Sequence, residues 1–144
     1  MSRQRTSFAI GIGLLAVTAL LHLGAIVGGL PDPATEAEAT LFGLLESYEF
    51  PGVPPLTLGE VLRGLSLSFS VFLLGLASMG LTLFRSGATS DVLRSHAVVL
   101  AGTTGILAAI GIGHFPLPAT LLLGAAFGAF VLSIAFAGRP AGGR

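Results

Sequence analysis

Phe8-Ala-Ile-Gly-Ile-Gly-Leu-Leu-Ala-Val-Thr-Ala-Leu-Leu-His-Leu-Gly-Ala-Ile-Val-Gly-Gly-Leu30 is a continuous apolar stretch without a charged residue. A helix needs roughly 20 such residues, at about 1.5 Å rise each, to cross the hydrocarbon of a bilayer. Three further stretches are of comparable length: Leu58–Phe84, Val92–Phe115 and Leu117–Ala137. Arg3 and Arg5 ahead of the first give it the start of a secretory leader. It is nonetheless longer than the roughly 7–15 residues of a leader's apolar region, and Gly28-Gly29-Leu30-Pro31 is a poor small-x-small cleavage site. It is read as a retained span.

Composition agrees with four spans. Of 144 residues 53% are hydrophobic and 10% charged, and mean hydropathy is +0.92. A soluble domain carries about a quarter charged residues. Lys+Arg and Asp+Glu are both 7, for a net charge of zero, and every base is arginine. So neutral a chain lacks the cations that nucleic-acid binding requires. With no cysteine, disulfides, iron–sulfur clusters and thiolate zinc sites are excluded.

Charge distribution orients the spans. Arg3 and Arg5 precede span 1, Arg85 and Arg94 flank the turn between spans 2 and 3, and Arg139 and Arg144 follow span 4. The 31–57 loop carries Asp32, Glu36, Glu38, Glu46 and Glu49 and no base. By the positive-inside rule both termini are cytoplasmic and this loop is external. The other connections, around Ser86–Ser90 and Phe115–Pro118, are short. Short connections make successive helices antiparallel neighbours. The expected fold is an all-α membrane protein: one domain, 1–144, an up-down-up-down four-helix transmembrane bundle with a frayed tail at 138–144.

Within the external loop, Asp32-Pro33 resembles a helix start. Leu41, Leu44, Leu45 and Tyr48 then make one apolar face. This predicts a short amphipathic helix over Pro33–Tyr48, lying over the outer mouth of the bundle or along the membrane surface. Phe50-Pro-Gly-Val-Pro-Pro55 would end it. Gly24-x-x-x-Gly28 and Gly124-x-x-x-Gly128 are small-residue patterns that let helices approach closely. Packing inside the bundle is the simpler assignment for them, and for the glycines at 102, 105, 111 and 113. An oligomer face is the other.

Titratable residues within spans are costly and therefore candidates for function. His22 lies about 12 Å below the outer end of span 1, with Thr18 one turn away. Glu60 and Arg63 are placed to pair on span 2, where Ser66 and Ser70 continue the same side. Arg63, about 7 Å below the outer boundary, is positioned to approach His22. A Glu60–Arg63–His22 cluster, flanked by Ser66, Ser70 and His114, is the candidate ligand site. Each member also has a plain structural role. Thr57-Leu-Gly-Glu60 matches a capping box, Arg63 can snorkel, His22 can bond a neighbouring carbonyl, and the serines can pack.

His96 and His114 would share a face of span 3 about 27 Å apart, too far for one metal. A metal or haem site using His22 with His114 and Glu60 meets a depth mismatch of about 10 Å. No metal and no cofactor are expected. Motifs such as G-x-S-x-G and H-E-x-x-H are absent from the sequence, so no catalytic residue is assigned.

Leu21-His22-Leu23, the run Glu60-Val-Leu-Arg-Gly-Leu-Ser-Leu-Ser-Phe69 and the turn His114-Phe115-Pro116-Leu117-Pro118 together resemble a family of small bacterial four-span integral membrane proteins of uncharacterised activity. The external loop here is poorer in basic and aromatic residues than that family's. The resemblance implies the four-span fold and the His22–Arg63 region as a site; the location expected is the bacterial inner membrane. The function expected is that of a non-catalytic accessory or scaffold component, meeting a membrane protein partner or a second copy. The alternative is a small bundle binding a lipid, quinone or other amphiphile. The topology is checked by fusions. A green fluorescent reporter at the C-terminus is expected to fluoresce, and alkaline phosphatase inserted after Gly43 to be active; the reverse pattern inverts the protein.

Overall fold

The computed structural model describes residues 1–51 and 56–137. The tail 138–144, with Arg139 and Arg144, and most of the break after Phe50 lie outside the described residues. The helices are α1 (Arg3–Gly28), α2 (Glu36–Ser47), α3 (Leu58–Arg85), α4 (Ser90–His114) and α5 (Leu117–Ala135). All but α2 are long and apolar enough to cross a membrane. The chain is a multi-pass helical bundle, as its composition requires.

Local chemistry sets the ends. Ser2 caps α1 by accepting from the Arg5 N–H. Gly87, at φ 72, follows the end of α3 in a conformation that a side chain would resist. Within α4 the helix breaks at Ile112 and Gly113, the latter at φ 125. His114 therefore does not continue the helical phase of His96, and the two do not share a face in the way even spacing implied.

α1 and α5 are the inner pair of helices. α1 packs along both α3 and α5, α5 packs along α4, and α3 and α4 meet only sparsely. The short 86–89 turn thus joins two helices that hardly touch, so connection length does not mark the packed neighbours there. Lipid is as apolar as leucine, so helices associate through close packing and polar contacts. The packing glycines are those facing bulky side chains. A Cβ on Gly11 would stand 2.6 Å from the Phe130 ring, one on Gly80 2.9 Å from Ile12, and one on Gly105 3.0 Å from Phe127. By contrast, a Cβ on Gly24, Gly28, Gly102, Gly113, Gly124 or Gly128 would meet nothing within 4 Å. Both G-x-x-x-G patterns are thus unused by the bundle's own packing, which corrects the simpler expectation for them.

A polar clasp that sequence patterns did not disclose closes the arginine-rich end. Gln4, only 4% exposed, donates from Nε2 to the Ser90 carbonyl (2.9 Å) and accepts from Ser90 Oγ at Oε1 (2.7 Å). The Ser133 hydroxyl donates to the Gln4 carbonyl (3.2 Å). Beside it Arg5 donates from Nη2 to the Phe84 carbonyl (2.7 Å), its guanidinium 5.1 Å from the centre of the Phe84 ring. All four long helices are tied together within this one layer.

From the clasp the core runs through Phe8, Leu15, Leu73, Leu100, Leu123 and Phe130. Phe8 and Phe130 meet edge to face at 5.8 Å. Fully buried positions on α1 stop at Ala19, and on α3 they begin only at Ser70. Beyond that level, toward the acidic end, packing loosens. α2 does not cover the mouth there. It touches only α3, where a Cβ on Gly59 would lie 2.9 Å from the Leu45 carbonyl. Its N-cap is Thr35, which accepts from Glu38 N–H, not Asp32. Leu41, Leu44 and Tyr48 remain about half exposed.

Gly11→Ala is expected to lower the thermal midpoint in detergent by the equivalent of about 1–3 kcal/mol, because the rigid Phe130 ring must move. Gly13→Ala meets no neighbour and is expected to be neutral or mildly stabilising. Circular dichroism melts of the two variants make the comparison.

Candidate functional site

The residues expected to form one cluster divide between three jobs. Glu60 belongs to a capping box: its Oε2 accepts from the Thr57 N–H (2.7 Å) while Thr57 Oγ1 accepts from the Glu60 N–H (3.2 Å). The carboxylate thus turns back to the start of α3, not forward to Arg63. Arg63 is exposed, and no ion pair joins it to Glu60 among the described residues.

Ser70 is 1% exposed and donates to the Ser66 carbonyl one turn earlier (3.1 Å). Thr18 does the same to Leu14 (2.7 Å) and Thr104 to Leu100 (2.7 Å). Hydroxyls bonded to their own helix satisfy themselves locally and pack as small residues. Ser66 is half-buried and His114 exposed, beyond the break in α4.

His22 is the member that borders an open space. It is half-buried on α1, its ring 5.5 Å from that of Phe69 on α3 and perpendicular to it. Phe69 in turn lies 5.7 Å from Phe115 in the turn between α4 and α5. Arg63 precedes Phe69 by six residues, about 9 Å along the helix, so it stands nearer the acidic end than His22 does. The aromatic pair was missed because Phe69 and Phe115 read as ordinary apolar positions. The break at Ile112–Gly113, which sends Phe115 inward, carried only the weak signal of a glycine near a proline.

Beside His22 is a half-open space of ≈ 210 Å³, lined by Thr18, Leu21, Ala25, Pro116, Pro118, Ala119 and Leu122 as well as His22. Its walls are the face of α1 that carries residues 18, 21, 22 and 25, the α4–α5 turn and the first turns of α5. No buried side-chain polar atom lacks a partner among the described residues, yet no side-chain or backbone group there bonds the imidazole of His22. Its nitrogens are therefore not sealed in the interior. No group of three or more metal-binding side chains occurs among the described residues. No family model, curated protein or solved structure matches the chain.

Thr57→Ala is expected to destabilise the start of α3 by about 1 kcal/mol. Glu60→Gln retains a carbonyl acceptor for the box and is expected to lose less. Arg63→Ala is expected to stay within about 0.5 kcal/mol of the parent. Chemical denaturation in mild detergent ranks the three, and a large loss in Arg63→Ala would restore the cluster.

Proposed function

We propose that this protein is a non-catalytic accessory or scaffold component of the bacterial inner membrane, with both termini in the cytoplasm. It holds another transmembrane helix, from a partner protein or from a second copy, against α5. The observation carrying this reading is the open Gly124-x-x-x-Gly128 track. A Cβ at either glycine would meet nothing within 4 Å, whereas Gly11, Gly80 and Gly105 serve the internal packing. In lipid, such a track favours close approach of a second backbone. Leu121 and Leu132, 62% and 50% exposed, border it.

The non-catalytic part of the reading is supported by the hydroxyls of Thr18, Ser70 and Thr104, which are engaged with carbonyls of their own helices and so are not poised as nucleophiles. The orientation is supported by Arg3, Arg5, Arg85 and Arg94, which gather at one end of the bundle, whereas the acidic loop lies at the other. The chain lacks cysteine, so it suits disulfide mapping. Leu121→Cys or Leu132→Cys, oxidised in native membranes, is expected to give an adduct. Its mass separates a second copy from a different partner. Adding Gly124→Leu and Gly128→Leu is expected to reduce the adduct at least fivefold without unfolding the bundle. Absence of an adduct from both cysteine positions removes this reading.

A further inference from the structure

We infer that the space beside His22 binds the head of a membrane-soluble amphiphile bearing a carbonyl or hydroxyl oxygen, held by a hydrogen bond to the imidazole. The site is independent of the α5 track, and either reading can stand without the other. Size is the first support. An apolar cavity of about 150 Å³ accommodates benzene, so ≈ 210 Å³ admits a substituted six-membered ring or a short branched head. The open side leaves a tail outside. Leu21, on that wall, is 60% exposed.

The walls then select the chemistry. Pro116 and Pro118 have no N–H to offer. The N–H groups of Ala119 and Thr120 already donate to the Pro116 carbonyl, at 3.0 and 3.2 Å, so this end of α5 presents no array of free donors. Thr18 spends its hydroxyl proton on Leu14. No arginine lines the space. A phosphate or carboxylate head would be desolvated there without a counter-charge, which is prohibitive in an apolar setting. A wholly apolar occupant would leave an imidazole nitrogen unmet. A neutral head with one good oxygen fits both constraints, because a neutral imidazole has one donor and one acceptor nitrogen. The edge-on ring of Phe69, backed by Phe115, restricts how His22 tilts.

Two sources carry this chemistry, a lipid-soluble quinone or related ring ketone and the ester carbonyl of a bilayer lipid. The chain has only 3 histidines, so imidazole nitrogen-15 resonances report on each separately. The full-length protein is placed in nanodiscs of diether phospholipid, which lacks ester carbonyls, with the His22 signals assigned from their loss in His22→Phe. A benzoquinone with a ten-carbon tail is then added, and decane in parallel. The expected result is a saturable shift of the His22 nitrogens with the quinone and not with decane, while His96 at the other end of the bundle stays still. His22→Phe is expected to retain at least tenfold less quinone. A His22 shift between diether and diester discs without quinone assigns the site to lipid carbonyls instead, within the same chemistry. If the His22 nitrogens ignore both oxygen sources, or respond equally to decane, the site is overturned. This wild-type measurement stands even if the variant misfolds.

Discussion

The Phe130 ring lies against Gly11 with no room for a Cβ between them, and the rest of the bundle is arranged around contacts of this kind. Once helices are surrounded by lipid, burying leucine against leucine gains little over leaving it in lipid. What remains is backbone proximity and polar contact. Gly11, Gly80 and Gly105 supply the first, on three different helix pairs. Gln4, Arg5, Ser90 and Ser133 supply the second, concentrated in one layer. Large apolar side chains such as Val71, Ile106 and Leu121 consequently point outward, each more than 60% exposed. In water this would be an aggregation surface, and in a bilayer it is the solvent-facing one.

That economy produces an asymmetric molecule. The arginine-rich end is packed and hydrogen-bonded across all four long helices. The acidic end has close glycine contacts only at Gly59, against Leu45, and at Gly111, against Thr120, and no polar layer across the four helices; there the chain instead supplies aromatic rings, a broken helix and a proline-bounded turn. His22 stands where the tight part gives way to the loose part. The imidazole at that boundary is half-buried, neither sealed in the core nor fully exposed. Local unfilled space and local chemistry coincide because the packing that would have filled the space ends at Ala19 and Ser70.

The spans were legible because length and hydropathy are properties of contiguous sequence, and the capping box at Thr57–Glu60 was legible because its partners are three residues apart. The neighbour relations were less so. The turn at 86–89 suggested that α3 and α4 pack together, whereas α1 and α5 lie between them, an arrangement in which Gly80 faces α1, Gly11 faces α5 and Gly105 faces α5. Both G-x-x-x-G patterns have the right spacing, but spacing does not say which helix face is turned inward. Gln4 illustrates the same limit, since a glutamine before an apolar run looks like any other interfacial residue until Ser90, 86 positions away, is brought beside it. At the candidate site His22 was visible as a polar residue in a span. Its partners were not, because Phe69 and Phe115 are unremarkable in an apolar chain and the phase of Phe115 depends on a break in α4.

The clasp also ties together positions far apart in the chain. The Gln4 carbonyl lies within α1 and takes a further hydrogen bond from Ser133, 129 residues later. α4 has little to hold on α3 and is brought against the bundle by α5. Detaching α5 would therefore release α4 with it and leave α1 paired with α3 alone.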